Sequence, residues 1–147
     1  MDEFRGKHIT IMGLGLHGGG IASARFFAKA GADVTVTDLR GAETLSPAIY
    51  ELKGLPIRYV LGRHEKKDFI DADIVIKNPA VRRDSPYLAF AKRIETDISI
   101  FLRYSKSPLI AVTGSKGKST IASALWHVLL KNNKKALLGG NITVSPL

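Results

Sequence analysis

Residues 7–38 read KHITIMGLGLHGGGIASARFFAKAGADVTVTD. The first six are a short β-branched run that stops at glycine, which predicts a strand. GLGLHGGG follows as a turn. In IASARFFAKAGA, Ile21, Ala24, Phe27 and Ala28 recur at helical spacing, and Gly31 supplies a stop. Residues 33–37 form a second β-branched run ending at Asp38. Strand, glycine turn, helix and strand within 38 residues predict a right-handed parallel crossover.

The alternation continues outward. A helix is expected over 43–52, strands over 57–61 and 73–77, a helix from Ser85-Pro86 to Arg93, and another from Thr96 to Tyr104. A strand over 108–112 then runs into a second glycine turn and a helix whose apolar stripe is Ile121, Leu125, Val128 and Leu129. Residues 134–138 begin one more strand. The fold class is therefore α/β: a Rossmann-like, doubly wound parallel sheet, followed by the start of a P-loop ATP-binding domain. The seam falls within Arg103–Pro108, which divides the chain into 1–106 and 107–147.

Composition narrows the classes of partner. The 147 residues are 45% apolar, which argues against disorder. No apolar run is long enough to span a bilayer, and the N-terminus does not read as a signal peptide. The absence of cysteine excludes disulfides and thiolate chemistry and fits a cytoplasmic location. The formal charge of +9 favours anionic partners, but the basic residues are dispersed and no RNA-binding aromatic motif occurs. Neither a nucleic acid nor a membrane is expected as a partner.

Gly13-Leu14-Gly15-Leu16-His17-Gly18 has the Gly-x-Gly-x-x-Gly spacing after a strand and before a helix, with Asp38 ending the next strand. Glycines let the backbone approach a pyrophosphate, and a helix N-terminus offers free N–H groups to it. An acidic residue ending the second strand can accept from a ribose or a base. This points to a nucleotide without saying which; a ligand-free tight turn is the alternative. The second turn is Gly114-Ser115-Lys116-Gly117-Lys118-Ser119-Thr120. Its glycines allow N–H groups to curl around phosphate oxygens. Lys118 suits the β/γ-phosphates and Ser119 suits Mg²⁺. The usual loop has its first glycine five residues before Gly117, where this chain has Val112.

The shortened form, Thr113-Gly114-Ser115-Lys116-Gly117-Lys118-Ser119-Thr120, resembles the ATP loop of the Mur ligases and their folylpolyglutamate synthetase relatives. Residues 5–147 as a whole resemble the N-terminal part of a Mur ligase, through Gly13–Gly18, Asp38-Leu39-Arg40, Lys77-Asn78-Pro79-Ala80, Thr96-Asp97-Ile98, the ATP loop and Gly139-Gly140-Asn141-Ile142. The resemblance implies three domains, of which the first holds a UDP-linked substrate, the second ATP and the third an incoming amino acid. It implies that Gly15, Leu16 and His17 meet the UDP pyrophosphate. Asp38, Leu39 and Arg40 would then face the uracil, and Asn78, Pro79 and Ala80 would line the same cleft. Asn141 would reach toward the diphosphate. Lys118, with Gly114–Thr120, would hold ATP–Mg²⁺, with Ser119 on the metal and Lys118 in the catalytic role. The implied substrates are UDP-N-acetylmuramoyl-L-alanine and D-glutamate, joined through an acyl phosphate. This chain departs from the family pattern at Ala80, Ser99 and Thr143.

With so short a second segment, the chain alone is expected to bind uridine diphosphate ligands but neither to hydrolyse ATP nor to ligate, and residues 108–147 are expected to pack on the first domain or a neighbouring chain, or to be mobile. Three rival readings use some of the same residues. One is an NAD(P)-binding module built on Gly13–Gly18 and Asp38. The others are a Mur-type ligase for a different amino acid and a non-catalytic nucleotide-fold domain.

Overall fold

The computed structural model describes residues 2–16, 18–140, 145 and 147. His17 and Asn141, both named above, lie outside the described residues, as does Thr143. Five strands, β1 (His8–Met12), β2 (Asp33–Asp38), β3 (Ile57–Leu61), β4 (Ile74–Lys77) and β5 (Ile94–Glu95), form one parallel sheet in the order β3-β2-β1-β4-β5. The order reverses between β1 and β4, so the crevice outside their carboxyl ends is the topological switch point.

The sheet is covered on both faces because its strands alternate. Ile9, Ile11, Val34, Val36, Ile74 and Ile76 join the larger core. There they meet Ile21, Ala24, Phe27 and Ala28 of α1 (Gly19–Lys29) and Leu45 and Ala48 of α2 (Ala42–Glu51). The stripe expected on α1 is the one that is buried. Met12 and Val75 face the other way, onto Phe69 of α3 (Lys66–Ile70) and Leu88. Thr10 also points to that side, and its hydroxyl donates to the Asp68 carbonyl (2.7 Å).

The chain departs from the sequence reading in three places. The helix expected over 85–93 is a 3₁₀ turn at Pro86–Phe90, with Ser85 as N-cap. It stops there because the following residues pair with the sheet: Val75 N–H donates to the Arg93 carbonyl, and β5 continues from that point. The short helix α3 fills a connection that carried no periodic signal. The strands expected over 108–112 and 134–138 do not form. A strand needs a neighbouring strand for its N–H and C=O groups, and among the described residues none pairs with either segment. Consequently α5 (Lys118–Lys131) has no buried residue, and its stripe residues Ile121, Leu125 and Val128 are exposed.

The helix α4 (Asp97–Tyr104) begins as the sequence indicates, capped by Thr96. Ser99 completes the cap. Its N–H donates to Thr96 Oγ1 (3.0 Å), and its hydroxyl accepts from the Thr96 N–H (2.8 Å). A serine thus closes the capping box, at the position where Glu or Gln is the usual partner.

Protection of α5 is expected to be far weaker than that of the core. In hydrogen exchange its amides should exchange at least about a hundredfold faster than those of β1. Equal protection in dilute monomer would show that α5 is covered by something this fold does not supply.

Candidate functional site

The strand-to-helix turn after β1 lies at the switch point, as its spacing predicts. Gly13 has φ of 89°, and a side chain there would press Asn78 and Val81 at 3.1 Å. Gly20 is the tighter constraint and was not singled out in the sequence. A Cβ on it would lie 2.1 Å from the Leu14 carbonyl oxygen, so the first turn of α1 sits directly on the loop backbone. Its signal in the sequence was hidden in the run Gly18-Gly19-Gly20, where any of the three could have made the contact.

Asp38 ends β2 and is 5% exposed. Its carboxylate accepts five N–H groups. Leu14 N–H (3.0 Å), Gly15 N–H (3.3 Å) and Arg40 Nη2 (2.9 Å) donate to Oδ2. Arg40 N–H (3.0 Å) and Arg40 Nε (3.1 Å) donate to Oδ1. Burial pushes this carboxyl up, but hydrogen bonds from the Arg40 side chain, the Arg40 N–H and the Gly15 N–H outweigh it and hold the group below its ordinary value. Arg40 is fixed from the other side too, since its carbonyl accepts from the Gly62 N–H (3.0 Å).

Asn78, at the end of β4, ties the two halves of the switch point together. Its Nδ2 donates to the Gly13 carbonyl (3.2 Å), and its Oδ1 accepts from the Ala80 N–H (3.0 Å). Lys77 Nζ donates to the carbonyls of Asn78 (3.1 Å) and Val81 (2.7 Å), which braces the turn from below. Leu16 and Leu39 stand at the rim, 42% and 67% exposed, as apolar surfaces on a polar loop. Asp97, the first residue of α4, approaches Gly19, and its Oδ2 accepts from the Ser145 hydroxyl (3.1 Å). The sequence named Asp97 only within the Thr96-Asp97-Ile98 segment, without a contact for it. His64 flanks β2 at the same end, with its Nδ1 2.7 Å from the Thr37 hydroxyl. Burial pushes its pKa down, partly offset by the Asp38 charge.

The second turn stands apart. Gly117 caps α5 in the left-handed conformation (φ 78°), and Lys118 Nζ donates to the Gly114 carbonyl (2.6 Å). The N–H groups of Lys118, Ser119 and Thr120 have no partner within their own helix. This arrangement fits a phosphate. For Mg²⁺ the segment offers the Ser119 hydroxyl, and among the described residues no cluster of three His, Asp or Glu could complete a metal shell. No helix among the described residues is long and apolar enough to cross a membrane.

Fold and loop together define a Rossmann-like domain with a glycine turn at its switch point. The chain belongs to the Mur ligase MurD-like family: residues 7–100 match its N-terminal domain. It is 52% identical, over all of its length, to the UDP-N-acetylmuramoylalanine–D-glutamate ligase of Borreliella afzelii (strain PKo), of which it covers 33%. It is 56% identical, over 97% of its length, to the ligase of the same name from Treponema pallidum (strain Nichols), of which it covers 28%. The chain thus spans about a third of the length of these relatives. Among solved structures, the precorrin-2 dehydrogenase SirC overlays 92% of this chain and 70% of its own, with a TM-score of 0.50 at 16% identity, a likeness of fold alone.

Two measurements test this geometry. Gly20→Ala should cost about 3 kcal/mol in urea unfolding, since backbone must move to admit the methyl. Asp38→Asn should cost about 2 kcal/mol at neutral pH. Because the folded carboxyl is held below its unfolded value, its contribution is complete above about pH 3.9 and is lost as pH falls through the folded value. The stability gap between wild type and Asp38→Asn should therefore close in acid.

Proposed function

We propose that the chain is the N-terminal part of a cytoplasmic, ATP-dependent ligase that adds D-glutamate to UDP-N-acetylmuramoyl-L-alanine in peptidoglycan precursor synthesis. In this reading residues 1–106 hold the UDP portion of the substrate and 107–147 begin the ATP-binding domain. The observation that carries it is the Asp38-braced Gly13–Gly18 loop at the switch point, in a chain more than half identical to ligases of that name.

The residues divide the work by chemistry. By the family resemblance Leu16 and His17 would meet a diphosphate through backbone groups near the start of α1, with Gly15, whose N–H is held by Asp38, keeping the turn open beside them. Leu16 and Leu39 offer apolar surface to a flat base. The Arg40 guanidinium lies beside the loop and brings positive charge to the base end of the cleft. Asn78, Pro79 and Ala80 would form the opposite wall, and the family resemblance assigns Asn141 to the diphosphate. A nucleotide handle gripped at this distance from the reacting carboxylate supplies binding energy that orients it.

In the second segment Lys118 would neutralise phosphate charge, and Ser119 would contribute an oxygen to Mg²⁺. The loop from Gly114 to Thr120 would hold the phosphates. ATP, when bound, supplies the phosphoryl group that activates the carboxylate as an acyl phosphate. With its sheet unbuilt, this segment is expected to hold ATP poorly, and the chain alone is expected to bind substrate without ligating.

Calorimetric titration with UDP-N-acetylmuramoyl-L-alanine, UDP and NADH separates the readings. The UDP ligands should bind and NADH should not, and Arg40→Ala should weaken the UDP ligands at least about tenfold. NADH binding without a UDP response would move the chain to the oxidoreductases.

A further inference from the structure

A glycine turn with an acidic residue at the end of β2 is the general pattern for holding a dinucleotide, where that carboxylate accepts hydrogen bonds from the ribose hydroxyls. Both parts are present here. The state of the carboxylate is different. An ionised carboxyl has about four lone-pair sites, and Asp38 already accepts five N–H groups: two from the loop, and three from Arg40 alone. Arg40 Nε and Nη2 straddle the two oxygens as a fork, which is the strong bidentate geometry. The carboxylate is also buried, while the guanidinium that covers it is half-exposed toward solvent.

We propose that the Asp38–Arg40 pair is a specificity device: Arg40 fills the acceptor sites of Asp38 from within the chain, so the loop refuses ligands that must be held by a ribose diol at this carboxylate. The proposal deepens the nucleotide-site reading above and rests on it. It assigns Asp38 to positioning the loop and Arg40 to closing the carboxylate. A ligand diol arriving at Asp38 would have to displace a charge-assisted fork and leave the guanidinium unpaired. A nucleotide that does not need that carboxylate meets no such barrier. The pair sits two residues apart on one turn, so selectivity against dinucleotides needs no bulky blocking group.

The arrangement predicts how the lock opens. Arg40→Ala removes the fork but keeps the backbone N–H at position 40, and with it the Leu14 and Gly15 bonds. Three donors then remain for about four sites, and one site becomes free while the loop stays braced.

The test is a titration of the chain with ADP-ribose, 2′-deoxy-ADP-ribose and UDP, in wild type, Arg40→Ala and Asp38→Ala/Arg40→Ala, with folding checked by circular dichroism. Wild type should show no ADP-ribose binding, and Arg40→Ala should gain it, at least about tenfold above wild type. The gain should be absent for the 2′-deoxy ligand and absent in the double variant. ADP-ribose binding by wild type, or a folded Arg40→Ala chain with no gain, overturns the proposal. So does a gain that the 2′-deoxy ligand shares, since it would not involve the diol. UDP reports separately: its failure to bind wild type would sink the function proposed above, while the ADP-ribose comparison would still judge the lock.

Discussion

The Asp38 carboxylate is the point on which the first domain turns. It ends one strand, holds the loop that follows another, and fixes the residue that begins the next connection. Loop N–H groups without such an acceptor would be left unpaired in a crowded turn, at a cost of order 1–3 kcal/mol each. With it, the loop backbone is locked before any ligand arrives. Gly20 adds the complementary constraint from the helix side, because α1 can approach only where no side chain intervenes. A preorganised loop binds more tightly than a floppy one, since the ordering is already done.

The second link runs across the switch point. Asn78 directly follows β4, and its amide reaches the Gly13 carbonyl on β1's loop. Lys77 fastens the same turn through two carbonyls. The turns that leave these two paired strands are therefore tied at the crevice mouth. Asp97 approaches from α4, and Ser145 meets it there. Three elements far apart in sequence thus converge on a few ångströms of backbone.

Much of this was legible beforehand. Strong periodicity named α1 and its buried face, and β-branched runs named β1 to β4. Thr96 marked the start of α4. What escaped had weak or ambiguous local signals. β5 is two residues long, and its pairing with β4 outweighed the helical tendency of the preceding stretch. The strands expected near 110 and 136 had the right composition, but composition cannot supply a pairing partner. At the site, the glycine spacing located the loop, and Asp38 stood where an acid was expected. The sequence could not show that its oxygens are taken by Arg40, because that depends on a side chain folding back over two residues. Gly20 was silent for the same reason, and Lys77, named only within the Lys77–Ala80 segment, gave no sign of the carbonyls it holds: each acts through a contact.

The edge strand β5 has a consequence for how the molecule comes into being. It closes the sheet with residues 94–95, and α4 completes its cover by Tyr104. The sheet and its flanking helices thus draw on the first hundred or so residues. A ribosome adds residues far more slowly than strands and helices form. The domain can therefore fold while later residues are still being made, and the Asp38-braced loop can be in place before Lys118 leaves the exit tunnel.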